Sequence, residues 1–170
     1  NGSAMKIGLN ATCFNDRPSG AKQRFIGMYN ELFKLMPDAQ FIIFQPEDCS
    51  FENWFDEFKH VSFYTTPIPS EGRLNKFIKG FFFWNGVLKH EKFDLFEGFN
   101  LPMLRNRYGK TVMTIHDLRG LESEYSLLYR KIFKTVLNIS FKNCDHIITG
   151  SKIMQKDIKA LFPESSISVI

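Results

Sequence analysis

A doubly wound α/β domain, with about seven strands in a mostly parallel sheet and helices on both faces, is the fold this sequence predicts. Three observations predict it. Short apolar runs recur at residues 6–10, 41–44, 61–64, 94–97, 111–115, 146–149 and 167–170, and runs of this length suit strands. Helix-period patterns fill most of the gaps, and strands alternating with helices imply right-handed crossovers and parallel pairing. The run Thr111-Val112-Met113-Thr114-Ile115 lacks apolar/polar alternation, as expected of a strand covered on both faces.

In chain order, the first strand, 6–10, leads into a turn from Cys13 through Asn15, Ser19 and Gly20. A helix over 21–36 follows, its apolar set Phe25, Met28, Tyr29, Leu32, Leu35 and Met36 at helical spacing, with Pro37 as the stop. After strands 41–44 and 61–64, the loop 65–72 is punctuated by proline and serine, and a second helical pattern fills 73–92. There Leu74, Phe77, Ile78, Phe81 and Leu88 make a core-facing stripe that leaves Phe82, Phe83 and Trp84 unassigned. Strand 94–97 ends in Glu97-Gly98-Phe99-Asn100, and strand 111–115 ends in His116-Asp117. Between Ser123 and Asn143, Leu128, Ile132, Val136 and Ile139 are expected to face the sheet, with Arg130, Lys131, Lys134 and Lys142 in water. Strand 146–149 precedes a helix capped by Ser151 and ended near Pro163, and 167–170 closes the sheet.

Composition narrows the class. A chain of 170 residues, 44% hydrophobic and 24% charged, can bury a full single-domain core. Nineteen phenylalanines supply ample core mass, and some are free to face a ligand or lipid. A net charge of +4 without an arginine-rich tract argues against nucleic acid as a partner. Cys13, Cys49 and Cys144 are odd in number and widely spaced, so neither a disulfide framework nor a zinc site is indicated and a cytoplasmic setting is expected. No run approaches the ~18 apolar residues of a membrane span. Residues 1–4, before Met5-Lys6, read as a cloning remnant, leaving 5–170 as the natural domain.

The chemistry is expected where strands end, because ligands of open parallel sheets bind beyond the strands' carboxyl ends. His116 and Asp117 would point into that crevice; the same pattern also fits a hydrogen-bonded loop histidine and a helix-capping aspartate. Glu97 and Asn100 could hold sugar hydroxyls through fixed acceptors and donors. The helix opening at Gly20, with Lys22 and Arg24, suits a phosphate, because its first N–H groups lack partners and its dipole favours negative charge. The bland alternative is a glycine turn with solvated cations. Neither GxGxxG nor GxxxxGK[ST] occurs, so no dinucleotide or P-loop site is supported.

Taken in order, Met5 to Asn10, Ser19-Gly20, Asp94 to Asn100, Met113 to Leu118, Asp145 to Ser151 and Val169-Ile170 resemble the N-terminal, Rossmann-like domain of the retaining GT-B glycosyltransferases of family 4. The resemblance covers nearly the whole chain. It implies one half of a GT-B enzyme, a hexosyltransferase acting in cell-surface polysaccharide synthesis. The nucleotide-sugar is its co-substrate, a glycan or lipid-linked sugar its acceptor, and no metal is implied because no Asp-x-Asp pair is present. His116 and Asp117 would be catalytic, Glu97, Asn100 and Arg119 would meet the acceptor, and Gly20, Lys22 and Arg24 would approach the diphosphate. Two departures are visible: Glu97 stands where the family has histidine, and a single Gly20 replaces a two-glycine loop. The donor-binding half, with its Glu-x7-Glu motif, does not follow Ile170, so residues 5–170 alone are expected to be inactive. A basic, aromatic segment from Arg73 to Lys92 offers peripheral contact with the inner face of the cytoplasmic membrane as an alternative to a core helix. The rival of another class is a stand-alone, non-catalytic flavodoxin-like binding domain.

Overall fold

The structure, a computed structural model, describes residues 4–170; Asn1, Gly2 and Ser3, the head of the segment read as a cloning remnant, lie outside the described residues. The chain runs β1 (Lys6–Asn10), α1 (Gly20–Leu35), β2 (Gln40–Gln45), β3 (Val61–Thr65), α2 (Arg73–His90), β4 (Leu95–Gly98), β5 (Lys110–Ile115), α3 (Leu127–Asn143), β6 (His146–Thr149), α4 (Lys152–Leu161) and β7 (Ile167–Val169), with single 3-10 turns at Glu52–Trp54 and Arg119–Leu121. The seven strands form one sheet in the order β3-β2-β1-β4-β5-β6-β7. Every pairing is parallel. This is a Rossmann-like, doubly wound α/β sheet.

The direction of travel along the sheet decides which face each helix covers, because parallel crossovers are right-handed. The β1-to-β2 step runs one way, and α1 packs Phe25, Tyr29 and Phe33 with Leu9, Phe41 and Ile43 on one face, joined by Phe51 and Phe55 beside the first 3-10 turn. The steps out to β4, β6 and β7 run the other way, and α2, α3 and α4 pack Trp84, Leu88, Leu137, Phe141 and Ile158 with Phe96, Met113 and Ile147 on the opposite face. Serine side chains cap three helices: Ser19 Oγ accepts from Lys22 N at 3.1 Å, Ser126 Oγ from Tyr129 N at 3.2 Å and Ser151 Oγ from Met154 N at 3.1 Å. Each supplies one of the donors a helix start leaves unpaired with its partner. The link from β4 to β5 forms no helix; it is pinned by Ser140 Oγ, which accepts from Met103 N at 2.9 Å, and by Asn143 Nδ2, which donates to Met103 O at 2.9 Å.

Three helix faces differ from the sequence reading. On α3 the buried residues are Leu137, Ser140 and Phe141, while Leu128 is 70% exposed and Ile132 and Ile139 also face outward. On α2 only Leu88 of the expected stripe is buried; Leu74, Phe77, Ile78 and Phe81 are exposed, and Trp84 takes the inward place. Trp84 lies 5.0 Å from the Phe44 ring and 5.2 Å from that of Phe96, so the largest ring on the helix fills the sheet contact. On α1, Phe33 is buried and Leu35 faces out. The physical reason is common to all three. Each helix carries more apolar residues than one face can hold, and periodicity says that a stripe exists without saying which stripe meets the sheet.

Candidate functional site

Strand order reverses between β1 and β4, and a crevice of about 360 Å³ opens at the carboxyl ends of β1, β4 and β5, where ligands of open α/β sheets bind. Phe14, Ser19, Asn100, Thr114, His116 and Asp117 are among its lining residues. Each arrives from a different local cause. Ser19 caps α1, Asn100 begins the pinned link after β4, and His116 and Asp117 are the first residues past the end of β5.

Two polar atoms in this crevice are buried without a hydrogen-bond partner in the protein: His116 Nε2 and Asn100 Oδ1. Buried polar groups are nearly always paired, so two such orphans on lining residues of one crevice set it apart from the rest of the surface. Burial first, and the Arg24 charge second, hold the His116 imidazole below its ordinary value, against a weaker opposing pull from Asp117. The ring is therefore neutral at neutral pH, with one donor and one acceptor nitrogen. Asp117 is held below the usual carboxylate range: burial pushes it upward, but hydrogen bonds and charge from Arg119 outweigh that. Its Oδ2 accepts from Arg119 Nη2 at 2.8 Å and its Oδ1 from Arg119 N at 3.2 Å. Asp117 thus closes a local turn and caps no α-helix, and Arg119 is exposed and fastened to it.

The cationic residues of the first loop separate. Arg24 crosses from α1 to the turn after β6, where a Cβ on Gly150 would lie 1.7 Å from its Nη1, so only glycine admits the guanidinium there. Lys22 turns away and is buried: its Nζ donates to Asn15 O at 2.9 Å and sits 5.3 Å from the centroid of the Trp54 ring. It braces the loop and lies outside the crevice lining. Gly20 is exposed, and a Cβ on it would meet nothing within 4 Å, so protein packing does not demand glycine there.

Glu97 is corrected most. It is 5% exposed and lies behind the crevice wall, its Oε1 accepting from Thr114 Oγ1 at 2.6 Å and its Oε2 from the buried Tyr29 hydroxyl. Burial raises its carboxyl above the ordinary range, although both hydrogen bonds oppose this. The side chain ties α1 to β4 and β5 and orients Thr114, which does line the crevice. Sequence reasoning missed this network because Tyr29 sits in an apolar stripe with no polar neighbour to flag its hydroxyl. Cys13 also lines the crevice, but burial pushes its thiol up to about 12, which removes it as a nucleophile.

A larger cavity of about 550 Å³ lies at the other end of the sheet, beside Asp145, His146, Glu164 and Ser166. Both His146 ring nitrogens are engaged there, with Ser166 Oγ at 2.7 Å and Ser168 Oγ at 2.9 Å. Size favours this cavity, but the unpartnered groups and the switch point favour the smaller one, and chemistry outweighs volume. Among the described residues, no three His, Cys, Asp or Glu side chains gather as a metal-ligand set. No helix among them is long and apolar enough to cross a membrane.

Fold and crevice together define a Rossmann-like α/β domain with an open crevice at its topological switch point. No protein-family model matches the chain, and no curated protein matches it either.

Proposed function

We propose that the chain is the acceptor-binding domain of a retaining glycosyltransferase, a hexosyltransferase that uses a nucleotide-sugar and extends a glycan or lipid-linked acceptor in cell-surface polysaccharide synthesis. The observation that carries the reading is the pair of unpartnered atoms, His116 Nε2 and Asn100 Oδ1, in one crevice at the switch point. The resemblance of the ordered series of motifs from Met5 to Ile170 to family 4 supports the choice of family.

In this reading Asn100 Oδ1 accepts a hydrogen bond from an acceptor hydroxyl and fixes the sugar's orientation. The neutral His116 ring donates from Nε2 to an oxygen that gains negative charge as the bond to the leaving phosphate breaks, and a preorganised donor of this kind is worth roughly two to three orders of magnitude in rate. The start of α1 at Ser19 and the Arg24 guanidinium make that side of the crevice favourable to an anion. Asp117 holds Arg119 beside the entrance, while Glu97 and Lys22 act only by holding Thr114 and the loop in place.

The test is nucleotide-sugar-dependent transfer by the protein encoded in the complete reading frame, wild type against His116→Ala and Asn100→Ala. His116→Ala is expected to lose roughly a hundredfold or more in kcat, and Asn100→Ala to raise KM for the acceptor. EDTA should leave the wild-type rate unchanged; a loss restored by a divalent cation would refute the metal-free part of the scheme. Wild-type rates in His116→Ala, or no turnover of any nucleotide-sugar, would overturn the reading.

A further inference from the structure

Three aromatic rings lead out of the crevice along the start of α3. Phe133 lines the crevice beside Leu137. The Tyr129 ring lies 6.2 Å from that of Phe133 at an interplanar angle of 21°, and the Tyr125 ring lies 4.8 Å from that of Tyr129 at 27°. All three residues are half-buried, so each keeps part of its surface open. Their four-residue spacing sets them on one side of the helix, about a turn apart. Phe133 is placed by a close approach: a Cβ on Gly120 would lie 2.5 Å from its ring, so only glycine in the Arg119–Leu121 turn admits the ring there. Arg130 Nε donates to Leu121 O at 3.0 Å and ties the same turn to α3. Arg119, whose titration is raised first by Asp117 and further by Tyr125, stands within electrostatic reach of the outermost ring.

We propose that this aromatic row is an extended acceptor subsite, on which successive units of a neutral oligosaccharide lie while the terminal sugar enters the crevice. The proposal rests on the glycosyltransferase reading and narrows its acceptor to a chain of several sugars. Pyranose rings carry apolar C–H faces rimmed by hydroxyls, and an aromatic ring with a polar edge suits such a face. The ring separations of 4.8 and 6.2 Å are close to the repeat of sugar units along a glycan. Size argues the same way. The crevice holds about 360 Å³, near the low end of the ~300–1,000 Å³ of ligand pockets, so it takes the reacting end of a chain and leaves the rest outside. Charge selects a neutral occupant over a nucleic acid or an anionic lipid. The segment 117–126 carries the carboxylates Asp117, Glu122 and Glu124 against the cation Arg119, and that balance repels a phosphate backbone. Glu122 and Glu124 are exposed, where they can accept from sugar hydroxyls.

The experiment is calorimetric titration of this chain with neutral α- and β-linked hexose and N-acetylhexosamine oligomers of two to six units. Wild type is expected to bind at least one series with an affinity that rises with length. Tyr125→Ala and Tyr129→Ala should each remove roughly three- to tenfold of that gain, whereas Tyr125→Phe and Tyr129→Phe, which keep the rings, should retain it. Circular dichroism reports folding, and because Tyr125 precedes the helix, Tyr125→Ala carries the test alone should Tyr129→Ala misfold. Affinity that does not rise with length, a gain that survives loss of the rings, no binding to any oligomer, or binding of a decaproline peptide in place of the oligomers would each overturn the proposal. Transfer by the protein of the complete reading frame separates this site from the enzyme reading. Ring-dependent binding without turnover of any nucleotide-sugar would uphold the row as a glycan site and remove the enzyme. Turnover with an acceptor KM independent of chain length would keep the enzyme and overturn the row.

Discussion

The Arg24 guanidinium and the His116 imidazole are both cationic when protonated, and that repulsion can be read directly. Because Arg24 helps hold the ring's titration down, Arg24→Ala should raise the His116 midpoint measured by NMR of the ring protons; a midpoint that falls or stays fixed would show that burial acts alone. Gly150→Ala should act in the same direction, since the new methyl would displace the guanidinium. Glu97 is a structural residue, and its variants separate shape from charge. Glu97→Ala removes the acceptor of two buried hydroxyls, Tyr29 and Thr114, and should cost about 3 kcal/mol in a urea titration. Glu97→Gln keeps the shape. Since the native carboxyl is raised above 4.5, its contribution is fully present below that pH and is lost as pH rises through the native midpoint. Glu97→Gln should therefore gain on wild type with increasing pH, and a relative stability that declines instead would contradict the assignment.

At the scale of the element, α3 tests how a helix chooses its inward face. Leu137 is 1% exposed against Met113 and Phe141, whereas Leu128 is 70% exposed. Leu137→Ala should cost about 2–5 kcal/mol, as core truncations do, and Leu128→Ala should stay within about 0.5 kcal/mol. Comparable losses at both positions would mean that the helix is rotated from the orientation described. The strands posed no such choice: all seven predicted runs became strands, and the only changes were a residue or so at their ends. A parallel strand covered on both faces is apolar throughout, so its identity survives without knowing its neighbours. A helix on one face of a sheet shows periodicity, and α2 and α3 each carry two apolar stripes. Only contact with Trp84's partners Phe44 and Phe96, or with Met113 beneath Leu137, decides between them.

For the molecule as a whole, acid should destabilise the fold in a defined window. Folding depresses the His116 titration below 6.5, so beneath that pH the unfolded chain binds more protons, and this residue's favourable contribution decays as pH falls through 6.5 toward the native midpoint. Asp117, depressed below 3.8, adds a second loss at lower pH. Thermal melts of His116→Gln should therefore show a flatter pH dependence near and below 6.5 than wild type; identical profiles would place the acid sensitivity elsewhere. By itself the sequence determined the α/β class, the strands and the serine cap at Ser151, and it named His116 and Asn100 as residues just beyond strand ends, because all of these follow from local chemistry and chain order. Tertiary structure decided the rest: that Glu97 and Lys22 brace the walls, that Arg24 reaches Gly150, and that α2, α3 and α4 pack on one face of the sheet with Trp84 and Leu137 turned inward. Those facts depend on which surfaces meet across distant parts of the chain, and a linear pattern does not carry that distance.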